Sequence, residues 1–137
     1  YLKQVHTVKL FQDTLEIISF LRALYPVWIV SGSDEKNVRV AVEGTGMLQH
    51  IKGVIAGVED KEPALRAIAR RESVDLASVV LIGDHLNDVL AAQNVGAVGV
   101  GITRGFCTGE QFSARGFLHV PDLRSLRDLL HRQRRTF

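Results

Sequence analysis

The chain has 137 residues, 46% hydrophobic and 23% charged, which suits a packed globular domain and excludes a disordered, charge-dominated segment. A formal net charge of +2 supplies no field that argues for nucleic acid or an acidic membrane, and the basic end HRQRRTF (131–137) reads as a solvated terminus. No run approaches the roughly 18 apolar residues of a membrane span, no signal peptide is visible, and the single cysteine, Cys107, excludes an intramolecular disulfide and fits a reducing, cytoplasmic compartment.

Along the chain, the hydrophobic period changes repeatedly. Residues 1–10 open with QVHTVKL (4–10), which has period-two character. DTLEIISFLRALY (13–25) sets Leu15, Ile18, Leu21 and Leu24 three apart, the spacing of one helical face. VWIVSG (27–32) is a short apolar run that ends in small residues, and it predicts a strand buried on both faces. A helix is expected over 34–48, with Ser33, Asp34 and Glu35 suited to its start. GVIAG (53–57) predicts a second strand, and KEPALRAIARRES (61–73) a helix that tolerates Pro63 in its first turn. VVLIG (79–83) and AVGVG (97–101) predict two more strands, flanking the short helix NDVLAAQNVG (87–96). PDLRSLRDLLHR (121–132) predicts a last helix. Strand and helix alternate without a linker or internal repeat, so the expected fold is a single α/β domain with a doubly wound parallel sheet.

In such sheets ligands collect beyond the carboxyl ends of the strands, where three groups of polar residues fall. In VVLIGDHLND (79–88), an apolar strand runs into Asp84, and Asp88 follows one helical turn later. Two carboxylates there suit a hard cation such as Mg²⁺; the alternative is that Asp84 caps the following helix and Asp88 favours its N-terminus. Asn87 offers a side-chain hydrogen bond at the same point, and His85, inside the acidic loop, is a candidate to face substrate. In IVSGSDEK (29–36), Ser31 and Gly32 make an anion cradle between a strand end and a helix start; an ordinary helix cap is the alternative. Lys61 heads a helix, where its charge is poorly placed for the dipole and makes more sense answering an anion. His6, His50, His119 and His131 read as ordinary surface or core residues.

The order of these elements resembles the haloacid dehalogenase-like hydrolases over nearly the whole chain. LFQDTLEIISFLRALYPVWIVSGSDEKNV (10–38) looks like the approach to and passage through motif II, and MLQHIKGVIAGVEDKEPALRAIA (47–69) like the segment carrying the motif III lysine. VVLIGDHLNDVLAAQNVGAVGVGITRGF (79–106) is similar to motif IV and the strand after it, and FLHVPDLRSLRDLL (117–130) to the usual end of these domains. The resemblance implies a Rossmann-like three-layer α/β/α domain and a Mg²⁺-dependent phosphatase. It assigns Ser31 and the Gly32 amide to the phosphoryl oxygens and Lys61 to the nucleophile and phosphate. Asp84 and Asp88 become the acidic side of the metal site.

One motif is absent. The family's nucleophilic Asp-x-Asp at the end of its first strand has no counterpart in these residues; FQDTL (11–15) offers only Gln12 and Asp13. The chain begins at Tyr1, and residues 1–8 resemble the tail of a cap segment. We therefore expect a piece that lacks the first strand and the cap, its sheet completed by another segment, by residues 1–10 or by self-association. A small phosphorylated metabolite is the expected substrate, with no nucleic-acid or membrane partner. The alternative is a non-catalytic relative that binds metal, phosphate or a partner without turnover. The phosphorylation domain of an ion pump also resembles GDHLNDVLAA, but its Asp-Lys-Thr-Gly-Thr motif is missing here.

Overall fold

The computed structural model describes residues 18–19, 21–23, 25–32, 34–103 and 107–134. The extended stretch expected within residues 1–10, His6, most of the helix expected over 13–25, Ser33 and the end of the basic tail lie outside the described residues. The chain divides into two compact units, Tyr1–Glu59 and Asp60–Phe137.

In the first unit, β1 (Trp28–Val30) and β2 (Gly53–Ile55) pair in parallel, with Ile29 opposite Val54. Helix α1 (Glu35–Thr45) connects them and ends at Gly46, whose left-handed backbone (φ 75°) lets its N–H bond back to Glu43 and Val42. The helix expected through residue 48 stops there, because a residue in that conformation satisfies the last carbonyls and turns the chain away. A 3-10 turn, Met47–His50, leads into β2. Ile18, Ile29, Val38 and Val42 form the buried cluster of this unit.

The second unit runs α2 (Lys61–Glu72), β3 (Val80–Gly83), α3 (Leu86–Val95), β4 (Val98–Ile102), α4 (Gly109–Ala114), β5 (Leu118–Val120) and α5 (Leu123–Arg134). The strands lie in the order β3-β4-β5, all parallel, with Ile82 opposite Val100 and Ile102 opposite Val120. Leu65 from α2 and Ala92 from α3 pack with Leu81 and Ala97. Val100 and Val120 are covered by Leu126 of α5. Cys107 is buried with Val89, Phe112 and Phe117, a small apolar side chain in the core. A methyl group on Gly101 would land in the ring of the fully buried Phe112, so this glycine is what allows α4 to approach β4.

The four strands expected from the sequence are present, β1 to β3 shorter than expected and β4 displaced by one residue, within an α/β arrangement of parallel strands and intervening helices. α4 and β5 were not anticipated. β5 has three residues with only Val120 buried, too short to carry a period. α4 did carry a signal: Thr108 and Gln111 have capping-box spacing, and both reciprocal bonds form. Among the described residues, β1 pairs only with β2, and β3 only with β4. None of the described helices is long and apolar enough to cross a membrane.

Truncating Phe112 to alanine should lower unfolding stability by about 3–5 kcal/mol, measured by urea denaturation. A loss under about 1 kcal/mol would contradict the tight packing of α4 on β4.

Candidate functional site

In the first unit the polar residues follow β1. Ser31 is fully buried, and its backbone continues the strand pairing, donating N–H to the Ile55 carbonyl and accepting from the Val58 N–H. Gly32 leads to Asp34, the N-cap of α1, whose carboxylate accepts from both the backbone N–H and the side-chain amide of Asn37, each at 2.9 Å. The helix N-terminus is thus answered by a carboxylate of its own. Ser31 and Gly32 lie one step before this helix start.

In the second unit the strand-to-helix turn after β3 carries Asp84, His85, Asn87 and Asp88. The N-cap of α3 is His85, not Asp84. Its Nδ1 accepts the Asn87 backbone N–H at 3.1 Å, and an accepting Nδ1 places the proton of a neutral imidazole on Nε2. Asp88 closes the reciprocal bond, its Oδ2 accepting the His85 N–H at 3.2 Å. Asn87 meets His85 through its backbone N–H, and Asp88 does serve the start of α3.

The other oxygen of Asp88 meets Lys61. Lys61 is the first residue of α2, and its ammonium donates to Asp88 Oδ1 across 27 positions of sequence. The two side chains are only 10% and 7% exposed. An ion pair this sheltered is little screened by water and is further satisfied by the hydrogen bond from His85. Gly83 makes the arrangement possible, because a methyl group there would collide with the Asp88 side chain. The anion that Lys61 was expected to answer is, within this unit, Asp88.

Asp84 stands differently. It is half-buried, and its Oδ1 is shut off from water with no hydrogen-bond partner among the described residues. A buried carboxylate oxygen is costly to leave unpaired, and a hard cation is the natural complement to such a donor. Asp84 therefore fits Mg²⁺. Asp88 has one donor on each oxygen, the Lys61 ammonium on Oδ1 and the His85 N–H on Oδ2. No group of three or more His, Cys, Asp or Glu side chains among the described residues is placed to hold a metal.

The structure thus brings Lys61, His85, Asn87 and Asp88 into one hydrogen-bonded group beside Asp84, and keeps Ser31 and Gly32 in their own unit. Sequence reasoning missed His85 as a cap, although the spacing to an acidic residue three positions on is the capping-box signature. It also missed the Lys61–Asp88 pair, for which a single sequence carries no signal.

Comparison with known proteins places these residues in a wider setting. Residues 1–96 match the family model described as haloacid dehalogenase-like hydrolase. A phosphoglycolate phosphatase from Vibrio parahaemolyticus serotype O3:K6 is 30% identical over 130 residues, covering 91% of this chain and 55% of the relative. A haloacid dehalogenase-like family hydrolase from Streptococcus pneumoniae shares the fold with a TM-score of 0.77 at 15% identity, over 86% of this chain and 58% of that one. A 2-haloacid dehalogenase from Pseudomonas syringae pv. Tomato does so with a TM-score of 0.69 at 17% identity, over 90% and 54%. The chain spans about half the length of the curated relatives it matches.

Replacing Asp88 by asparagine should cost about 3–5 kcal/mol of stability, since it breaks a sheltered ion pair by removing the carboxylate that meets the Lys61 ammonium. Combining it with Lys61→Met should recover most of that loss. Gly83→Ala should cost about 1–3 kcal/mol by forcing the Asp88 side chain aside. Urea denaturation of the four proteins checks all three; equal stability of the single and double variants would mean that the pair is not coupled.

Proposed function

The chain belongs to the haloacid dehalogenase-like hydrolase family, and from that premise we propose that it is the core of a cytoplasmic, Mg²⁺-dependent phosphomonoester hydrolase. The observation that carries the reading is the strand end of β3, where Asp84 holds a buried carboxylate oxygen with no hydrogen-bond partner among the described residues, in the loop whose Asp88 meets the ammonium of Lys61. The similarity to a phosphoglycolate phosphatase supports a small phosphorylated metabolite as substrate and makes phosphoglycolate the first to try.

Phosphoryl transfer is catalysed mainly by positioning and charge neutralisation, and each candidate residue has a role of that kind. The Ser31 hydroxyl and Gly32 amide hold phosphoryl oxygens. Lys61 sets a positive charge against the phosphoryl group and the attacking carboxylate. Asp84 is the oxygen donor to Mg²⁺, Asp88 adds its charge to the acidic loop, and His85 presents Nε2–H as a donor towards substrate. Bound Mg²⁺ supplies Lewis-acid stabilisation of phosphoryl oxygens. A carboxylate nucleophile splits such a hydrolysis into two easier steps. No Asp-x-Asp pair occurs in these 137 residues, so in this reading the nucleophile, and the strand that carries it, come from chain beyond them or from another molecule.

The absence of that pair also favours the second reading, a non-catalytic relative that binds metal or phosphate. The two separate in one assay. Phosphoglycolate and a generic phosphomonoester are offered with Mg²⁺ to the chain alone, and to the chain fused behind a segment carrying the Asp-x-Asp strand. Turnover only in the fusion, abolished by Asp84→Asn, is the expected result. A folded fusion without turnover supports the non-catalytic reading. Magnesium-dependent turnover by the chain alone would mean that another nucleophile operates.

A further inference from the structure

Resting on the phosphomonoesterase reading above, we infer that His85 is a specificity-determining residue. Its imidazole offers Nε2–H to the part of the substrate beyond the phosphoryl group, and so selects phosphomonoesters that carry a carboxylate there.

The cap of α3 is an uncommon one. Serine, threonine, aspartate and asparagine are the preferred N-caps, because a short side-chain oxygen accepts from the first turn. Here a histidine stands in that position, and its Nδ1 takes the place of the oxygen, accepting the Asn87 N–H at 3.1 Å. A serine would cap the helix as well, so capping alone does not account for an imidazole. What the ring adds is a second nitrogen. With Nδ1 an acceptor, Nε2 carries the proton of the neutral ring, and its polarity is thereby set as a donor. That polarity is independent of the ring's other contacts.

The ring is also held in place. The His85 backbone N–H donates to Asp88 Oδ2 at 3.2 Å while Nδ1 ties the side chain to Asn87, so the first turn of α3 fixes both. His85 is half-buried and directly follows Asp84 at the carboxyl end of β3, the end at which ligands collect in parallel sheets. A donor fixed beforehand loses little freedom on meeting a ligand.

The charge of the loop gives this donor a use. Asp84 and Asp88 suit the loop to a cation, and for the same reason they disfavour a second anionic group on the substrate. A carboxylate on the leaving group therefore needs a donor of its own. Leu86 has none in its side chain, and the Asn87 side-chain amide, both donor and acceptor, does not discriminate. His85 Nε2–H supplies a donor of single polarity.

Binding to the full chain, which requires no turnover, tests this. Phosphoglycolate and ethyl phosphate differ in carrying a carboxylate or a methyl group beyond the same ester carbon. Each is titrated, with Mg²⁺ present, into the wild type and His85→Ser, and the NMR shifts of the amides of residues 84–88 give the affinities. His85→Ser keeps a side-chain oxygen to accept the Asn87 N–H, and its amide dispersion reports whether it is folded. The ring-nitrogen shifts of the wild type assign the His85 tautomer.

The expected results are a proton on Nε2, tighter binding of phosphoglycolate than of ethyl phosphate, and a fall of about tenfold in that ratio in His85→Ser, the worth of one hydrogen bond to a charged group. A proton on Nδ1 overturns the inference. So does equal affinity of the wild type for the two esters, or an unchanged ratio in the folded variant. If neither ester moves the loop amides, the phosphomonoesterase reading itself fails and takes the inference with it, a result distinct from binding without discrimination.

Discussion

An ammonium and a carboxylate, removed from water together, tie the head of α2 to the head of α3. Lys61 and Asp88 are separated by 27 positions, yet they form an ion pair within the second unit. A pair of this kind tolerates little displacement, because the desolvation of both charges is offset only while their geometry holds. The surrounding features follow from it. Gly83 must lack a side chain, His85 must lend its backbone N–H to the second oxygen, and α3 must begin where that bond can form. What remains at the strand end is Asp84, with an oxygen that the protein does not satisfy.

Much of the architecture was legible in the residues. Strands buried on both faces read as continuous β-branched and aliphatic runs, so VWIV, GVI, VLIG and the run through VGVG stood out from the helices between them. Where the reading fell short, the missing information was conformational or local. Gly46 ends α1 by adopting a left-handed backbone, which its identity permits but does not require. β5 is too short for a period to be counted, and α4 spans only Gly109–Ala114, less than two full turns.

The site shows a similar boundary. Spacing alone places two carboxylates one helical turn apart after an apolar strand, and it marks Lys61 as a cation at the wrong end of a helix for the dipole. Which carboxylate answers which charge depends on the meeting of α2 with α3, and no local pattern encodes that. Membership of the haloacid dehalogenase-like hydrolases supplies a context for the residues. The hydrogen bonds distinguish the two aspartates: Asp88 is bonded to Lys61 and to the His85 N–H, and Asp84 Oδ1 has no partner among the described residues. The chain spans about half the length of its curated relatives, and the acidic loop after β3 is the part of the proposed chemistry that these residues can be asked to reveal directly.

Anomalous diffraction from crystals of the chain grown with Mn²⁺ tests the metal reading of that loop most directly. The account predicts an anomalous peak against Asp84 Oδ1. A folded chain with Mn²⁺ in the crystal but no peak at Asp84 would contradict it.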